Sequence, residues 1–153
     1  MNKKVLLTGI SGYIGLHCAK ILLEKGYTVV GTVRSANKEE EVIKTLNSNS
    51  ISIENLSFTH LDLSSDNGWD SALSNCDYVM HIASPFTVEN PKNEEDMLGP
   101  AVDGTLRVLK AAKKNGIKRV VLTSSTVAIM GGKKTGILNP DDWTDLNSKN
   151  IST

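Results

Sequence analysis

Residues 8–15 read Thr8-Gly9-Ile10-Ser11-Gly12-Tyr13-Ile14-Gly15 and carry three glycines in the spacing G-x-x-G-x-x-G. In a turn between a strand and a helix each glycine has its own use. Gly9 permits a tight turn, Gly12 lets backbone approach a diphosphate, and Gly15 lets the helix pack closely on the sheet. The helix start then offers free N–H groups and a partial positive charge to anionic oxygens. The spacing is one residue longer than the strict dinucleotide pattern, and the competing reading is a glycine-rich turn with no ligand. A Walker-type phosphate loop would end in Gly-Lys-Ser/Thr, and Ile14 and Leu16 do not fit it.

A second feature lies at Val33-Arg34-Ser35, where no acidic residue occurs until Glu39. NAD-selective sites place Asp or Glu about 20 residues beyond the glycines, on the ribose 2′-hydroxyl. Arg34 instead offers a planar, permanently charged fork that suits a 2′-phosphate, which points to NADP (NADPH) over NAD. The competing reading of Arg34 is a solvated surface charge. Lys38 and Lys44 would add charge nearby or serve only solubility.

Short apolar runs alternating with amphipathic stretches must position these residues, which is the pattern of parallel βα units. The sequence predicts strands over 4–8, 28–33, 56–60, 78–82 and 120–123. It predicts helices over 12–25, 38–46, 69–73 and 94–115, with a polar turn region over 47–55 and weak periodicity after Ile129. In the first helix Ile14, Cys18, Ile21 and Leu22 share one face. In the fourth, Val102, Leu106, Leu109 and Ala112 or Lys113 do so, and Pro100 begins or kinks its regular part. Right-handed crossovers then give an α/β, doubly wound parallel sheet of order 3-2-1-4-5, with ligands at the carboxyl ends of the first and fourth strands.

Composition sets the outer bounds. The chain has 153 residues, 39% hydrophobic and 22% charged, with 17 basic and 17 acidic side chains. That length suits one domain over 1–153, and zero net charge argues against a nucleic-acid partner. Cys18 and Cys76 make no metal or disulfide framework. The Asn2-Lys3-Lys4 start with Val5-Leu6-Leu7 breaks too soon for a secretory leader, and no run is long enough to span a membrane. The expectation is a cytoplasmic protein.

Taken together these segments resemble the amino-terminal half of an extended short-chain dehydrogenase/reductase of the NAD-dependent epimerase/dehydratase superfamily. The chain is most similar to its dihydroflavonol reductase, cinnamoyl-CoA reductase and aldehyde/ketone reductase group. The likeness rests on residues 8–15, Thr32-Val33-Arg34, His81-Ile82-Ala83-Ser84-Pro85, residues 102–109 and Val121-Leu122-Thr123-Ser124-Ser125. It implies a Rossmann-type fold, with backbone N–H groups of Tyr13 and Ile14 over the diphosphate. It further implies that Asp62 and Leu63 hold the adenine, that Ala83 and Ser84 lie beside the nicotinamide ribose, and that Ser125 is the catalytic serine polarising a substrate carbonyl. Asp62 is otherwise an ordinary turn residue, and His81 a satisfied buried histidine.

The family's acid is a tyrosine followed four residues later by lysine. Here Tyr13, Tyr27 and Tyr78 are followed at that distance by His17, Gly31 and Ile82, so no Tyr-x-x-x-Lys exists. The expectation is the NADP-binding portion of a reductase of small carbonyl substrates, ending before a sixth strand and the substrate lobe, and inactive by itself. Its fifth strand would be an exposed edge open to self-association. The alternatives are a dinucleotide-sensing module without catalysis and the cofactor half of a sugar-nucleotide epimerase or dehydratase.

Overall fold

The computed structural model describes residues 2–85, 93, 95–132, 136–149 and 151. Along the chain run β1 (Lys4–Thr8), α1 (Tyr13–Glu24), β2 (Thr28–Val33), α2 (Ala36–Ser48) and β3 (Leu56–His60). Then come α3 (Trp69–Leu73), β4 (Tyr78–His81), α4 (Glu95–Lys114), β5 (Arg119–Leu122) and α5 (Val127–Met130). The five strands form one sheet of order β3-β2-β1-β4-β5. Every pairing is parallel. The expected sheet order is the observed one, and the direction of strand addition reverses between β1 and β4.

Successive side chains of a strand point to opposite faces, so the continuous apolar runs of β1 and β2 feed two cores. On one face Leu6, Val30 and Val79 pack with Leu61, Trp69, Leu73, Val108, Ala111 and Ala112, beneath α3 and α4. On the other, Leu7, Val29 and Val33 pack with Ile10, Ala19, Val42, Leu46 and Ile51, beneath α1 and α2. Burying a Leu or Val side chain stabilises by roughly 1.5–3 kcal/mol, and these two clusters are what hold the strand ends in register.

Some boundaries and faces differ from those the sequence predicts. Helix α2 starts at Ala36, because the extended Ser35 caps it by accepting the Lys38 and Glu39 N–H groups at 3.1 and 3.3 Å. It runs to Ser48, into the stretch expected to be turn, carried by the buried pair Val42 and Leu46. Strand β4 stops at His81, since the Ile82 N–H turns to the Thr8 hydroxyl at 3.1 Å. β5 lies one residue earlier than expected, and α5 is an addition. The expected helix start at Glu94 lies outside the described residues; α4 is continuous through Pro100 and does not begin there.

In α1 the buried residues are Gly15 and Ala19, while Ile14 and Ile21 are about half exposed, at 53% and 51%. In α4 they are Gly104, Val108, Ala111 and Ala112, while Val102 and Leu106 are exposed. Of the predicted faces, Cys18 and Leu22 of α1 and Ala112 of α4 do pack on the cores, and the small residues Gly15, Ala19 and Gly104 let both helices sit close on the layer below.

The chain divides into two compact units, Met1–Leu122 and Thr123–Thr153. The first holds the whole sheet. In the second, Thr144 anchors α5: its N–H donates to the Ala128 carbonyl at 2.9 Å, and its hydroxyl accepts the Gly131 N–H at 2.9 Å. Among the described residues no helix is long and apolar enough to cross a membrane, and no group of three or more His, Cys, Asp or Glu is arranged to hold a metal.

Candidate functional site

At the carboxyl end of the sheet, within the first unit, lies a cleft of about 870 Å³. Its wall is built from the turn after β1, the ends of β2 and β3, the residues after β4 and the first turns of α4. Gly9, Gly12, Tyr13, Ile14, Gly15, Arg34, Asp62, Leu63, Ala83 and Ser84 all line it. Residues distant in sequence are thus gathered where the strand order reverses, the position at which open α/β sheets bind ligands.

The glycine turn has a definite internal logic. Gly9 has φ +72°, and a methyl group in place of its hydrogen would lie 2.8 Å from the Ala83 nitrogen. Gly12 has ordinary extended backbone and accepts the Leu16 N–H at 2.9 Å, while its own N–H goes to the Gly9 carbonyl at 3.0 Å. Gly15 is the tightest: a methyl there would lie 2.0 Å from the Gly9 carbonyl oxygen. The third glycine therefore packs the helix onto the turn itself, where the sequence reading had it packing on the sheet.

Below Leu16, the N–H groups of Tyr13, Ile14 and Gly15 have no partner among the described residues, and no side chain caps the helix. No acidic residue stands in its first turn, so the positive end of α1 is not neutralised. Three adjacent amide donors at an uncapped helix start are an arrangement that could hold an anion.

Arg34 is exposed at the end of β2, and its guanidinium takes no hydrogen bond among the described residues. Asp62 accepts the Ser64 N–H at 2.7 Å and the Ser64 hydroxyl at 2.6 Å on one carboxylate oxygen. Those bonds, helped by the Arg34 and Arg107 charges, hold the Asp62 carboxyl below its ordinary range. Asp62 is thus a turn former with its second oxygen left over. Lys38 lines the cleft, but its ammonium pairs with Glu41 at 2.6 Å.

Three contributions went unread in the sequence. Arg107 of α4 donates to the Leu63 carbonyl and to Asp66, fixing the turn that presents Asp62 and Leu63. Gly104 sits against Leu63, where a methyl would approach its Cβ to 3.0 Å. Asp96, Met97 and Pro100 close the cleft from α4. The Gly104…Arg107 spacing of one helical turn was the available signal. Ser125 belongs to the second unit; there its hydroxyl accepts the Val127 N–H at 3.2 Å and its carbonyl accepts that of Ala128 at 3.0 Å, opening α5.

Residues 5–150 match the NAD dependent epimerase/dehydratase family. The chain belongs to that family. It is 45% identical over 131 residues to an uncharacterized oxidoreductase of Schizosaccharomyces pombe, covering 84% of this chain and 38% of that protein. It is 31% identical over 149 residues to the anthocyanidin reductase of Arabidopsis thaliana, covering 95% of this chain and 43% of that protein. Among solved structures it is similar to Gre2 of Candida albicans in complex with NADPH. There the TM-score is 0.79 and the identity 35%, over 94% of this chain and 44% of that one. The chain spans about two fifths of the length of the curated relatives it matches.

Proposed function

We propose that this chain is the NADPH-binding portion of a reductase acting on aldehydes or ketones. The observation that carries the reading is the row of free amides at the start of α1, flanked within one cleft by the Arg34 guanidinium, which makes no hydrogen bond among the described residues. The donor set fits the cofactor. Tyr13, Ile14 and Gly15 amides would hold the diphosphate, Arg34 the 2′-phosphate, Asp62 and Leu63 the adenine, and Ala83 and Ser84 the nicotinamide ribose. When bound, the dihydronicotinamide supplies a hydride to a carbonyl carbon. The similarity to an NADPH-complexed Gre2 and to a plant flavonoid reductase supports this reading.

Ser125 is proposed to donate a hydrogen bond to the carbonyl oxygen, a role that rests on family likeness. A tyrosine with a lysine four residues on would supply the proton, and none occurs in these 153 residues, so the chain as it stands should bind cofactor without turnover. Val121 and Leu122, 48% and 47% exposed on the β5 edge, support self-association, which light scattering would read as a concentration-dependent mass.

The deciding experiment is calorimetric titration of the chain with NADPH and NADH. NADPH should bind saturably at one site and NADH at least roughly tenfold more weakly, as expected for loss of one charge-assisted contact. Equal binding of both would remove the NADP assignment, and binding of neither would remove the cofactor reading.

A further inference from the structure

We propose that His81 is a positioning residue for the nicotinamide half of the dinucleotide, acting through Thr8 on the backbone of Ile82 and Ala83; this rests on the cofactor reading of the cleft. Thr8 and His81 are paired across β1 and β4 and are 0% and 1% exposed. The Thr8 hydroxyl oxygen lies 3.1 Å from both the Ile82 and the Ala83 nitrogens, and 2.7 Å from His81 Nδ1. Backbone N–H groups only donate, so those two contacts fill the oxygen's lone pairs and its own proton must go to Nδ1. Nδ1 is therefore bare, and the ring is neutral with its hydrogen on Nε2. Burial, which pushes the imidazole pKa down, favours that neutral form.

Packing alone does not account for an imidazole here. Its Nε2 is buried with no partner among the described residues, and a buried donor without an acceptor costs stability that an apolar side chain would spare. What the ring supplies is the Nδ1 acceptor, which turns the Thr8 hydroxyl so that both lone pairs meet the chain leaving β4.

The position of that chain matters because the sheet order assigns the two halves of the ligand. Arg34 and the turn after β3 lie on one side of β1, and β4 lies on the other. A dinucleotide with its phosphates at the start of α1 and its 2′-phosphate at Arg34 must send its other half across the end of β4. There Ala83 touches the glycine turn, its nitrogen 2.8 Å from where a methyl on Gly9 would lie. The Thr8 hydroxyl sets that wall, and His81 sets the hydroxyl.

The test titrates wild type, His81→Leu and His81→Asn with NADPH and with 2′-phospho-ADP-ribose, which lacks the nicotinamide. His81→Leu should weaken NADPH roughly three- to tenfold, the worth of one neutral hydrogen bond, and leave 2′-phospho-ADP-ribose unchanged. His81→Asn, whose amide oxygen can stand where Nδ1 was, should restore NADPH affinity. No loss in the leucine variant, equal loss of both ligands, or no recovery with asparagine each overturns the proposal. Should the leucine variant not fold, Thr8→Val and Thr8→Ser carry the same comparison, with serine keeping the hydroxyl. Nitrogen NMR of the wild-type ring must show Nδ1 unprotonated; a proton there overturns the proposal. A wild type that binds neither ligand removes the cofactor reading itself, whereas one that binds both and is matched by His81→Leu removes only this inference.

Discussion

The two ends of the sheet are built on opposite plans. At the amino end Asp77, just before β4, accepts from Lys118 at 2.8 Å, from the Lys4 amide at 3.1 Å and from Lys3 at 3.2 Å. Its own N–H donates to the Lys4 carbonyl at 2.8 Å, and its carbonyl accepts the Lys118 N–H at 3.0 Å. The amino end satisfies itself. At the carboxyl end three amides of α1 have no partner among the described residues, and the Arg34 guanidinium makes no hydrogen bond or salt bridge among them. Donors that a chain leaves open cost little only where water or a ligand reaches them, so the open end is the one that suits the proposed cofactor.

The contrast is tested most severely at two glycines. Gly15→Ala would drive a methyl to 2.0 Å from a backbone oxygen, and neither partner can swing aside. We expect it to cost about 3 kcal/mol or more and to abolish NADPH binding. Gly26 lies between α1 and β2, with φ +77° and no atom within 4 Å of the added methyl. Gly26→Ala should cost only the left-handed backbone penalty of about 1–2 kcal/mol and leave binding intact. Urea unfolding midpoints read both, and equal losses would mean that the turn after β1 is not specially tight.

Arg34→Ala comes next in size. It removes a charge-assisted contact without touching either core, so it should weaken NADPH by roughly 1.5–3 kcal/mol while NADH affinity and the unfolding midpoint hold. A parallel loss of NADH affinity would show Arg34 acting on the diphosphate or on the fold, and would move the 2′-phosphate site elsewhere.

These side chains show which parts of the molecule could be read from the sequence. Strand order and the glycine turn were legible because both follow from local pattern: apolar runs cut by glycine, and crossovers of one hand. The same holds for Arg34, found by its distance from the glycines. The helix faces were legible only in part: Cys18, Leu22 and Ala112 pack on the two cores as expected, but their companions do not. On the α1 face Ile14 and Ile21 are half exposed while Gly15 and Ala19 are buried, because the helix start lies against the turn so closely that a methyl on Gly15 would meet the Gly9 carbonyl. In α4, Gly104 against Leu63 has the same effect on Val102 and Leu106. Nor could periodicity reveal the Thr8–His81 bond or the Arg107 tie to Leu63, since both join residues far apart in the chain. Close approach is a property of pairs of elements, and hydropathy describes them singly.

The smallest effect is expected at the closed end. Hydrogen bonding from Lys118 first, and then from the Lys4 amide and Lys3, holds the Asp77 carboxyl well below the usual carboxylate range. A carboxyl depressed on folding stabilises the native state above its unfolded value of about 3.9. That contribution is lost as pH falls from there through the folded value. Asp77→Asn should therefore lower the thermal midpoint slightly at neutral pH, and the gap between variant and wild type should narrow as the solution is acidified below about pH 4. NADPH affinity should not change, because the substitution sits at the end of the sheet opposite the cleft. A gap that stays constant with pH would mean that the lysines hold Asp77 too weakly to matter. A change in NADPH affinity would mean that the two ends communicate along β4, and the division between a closed and an open end would fail.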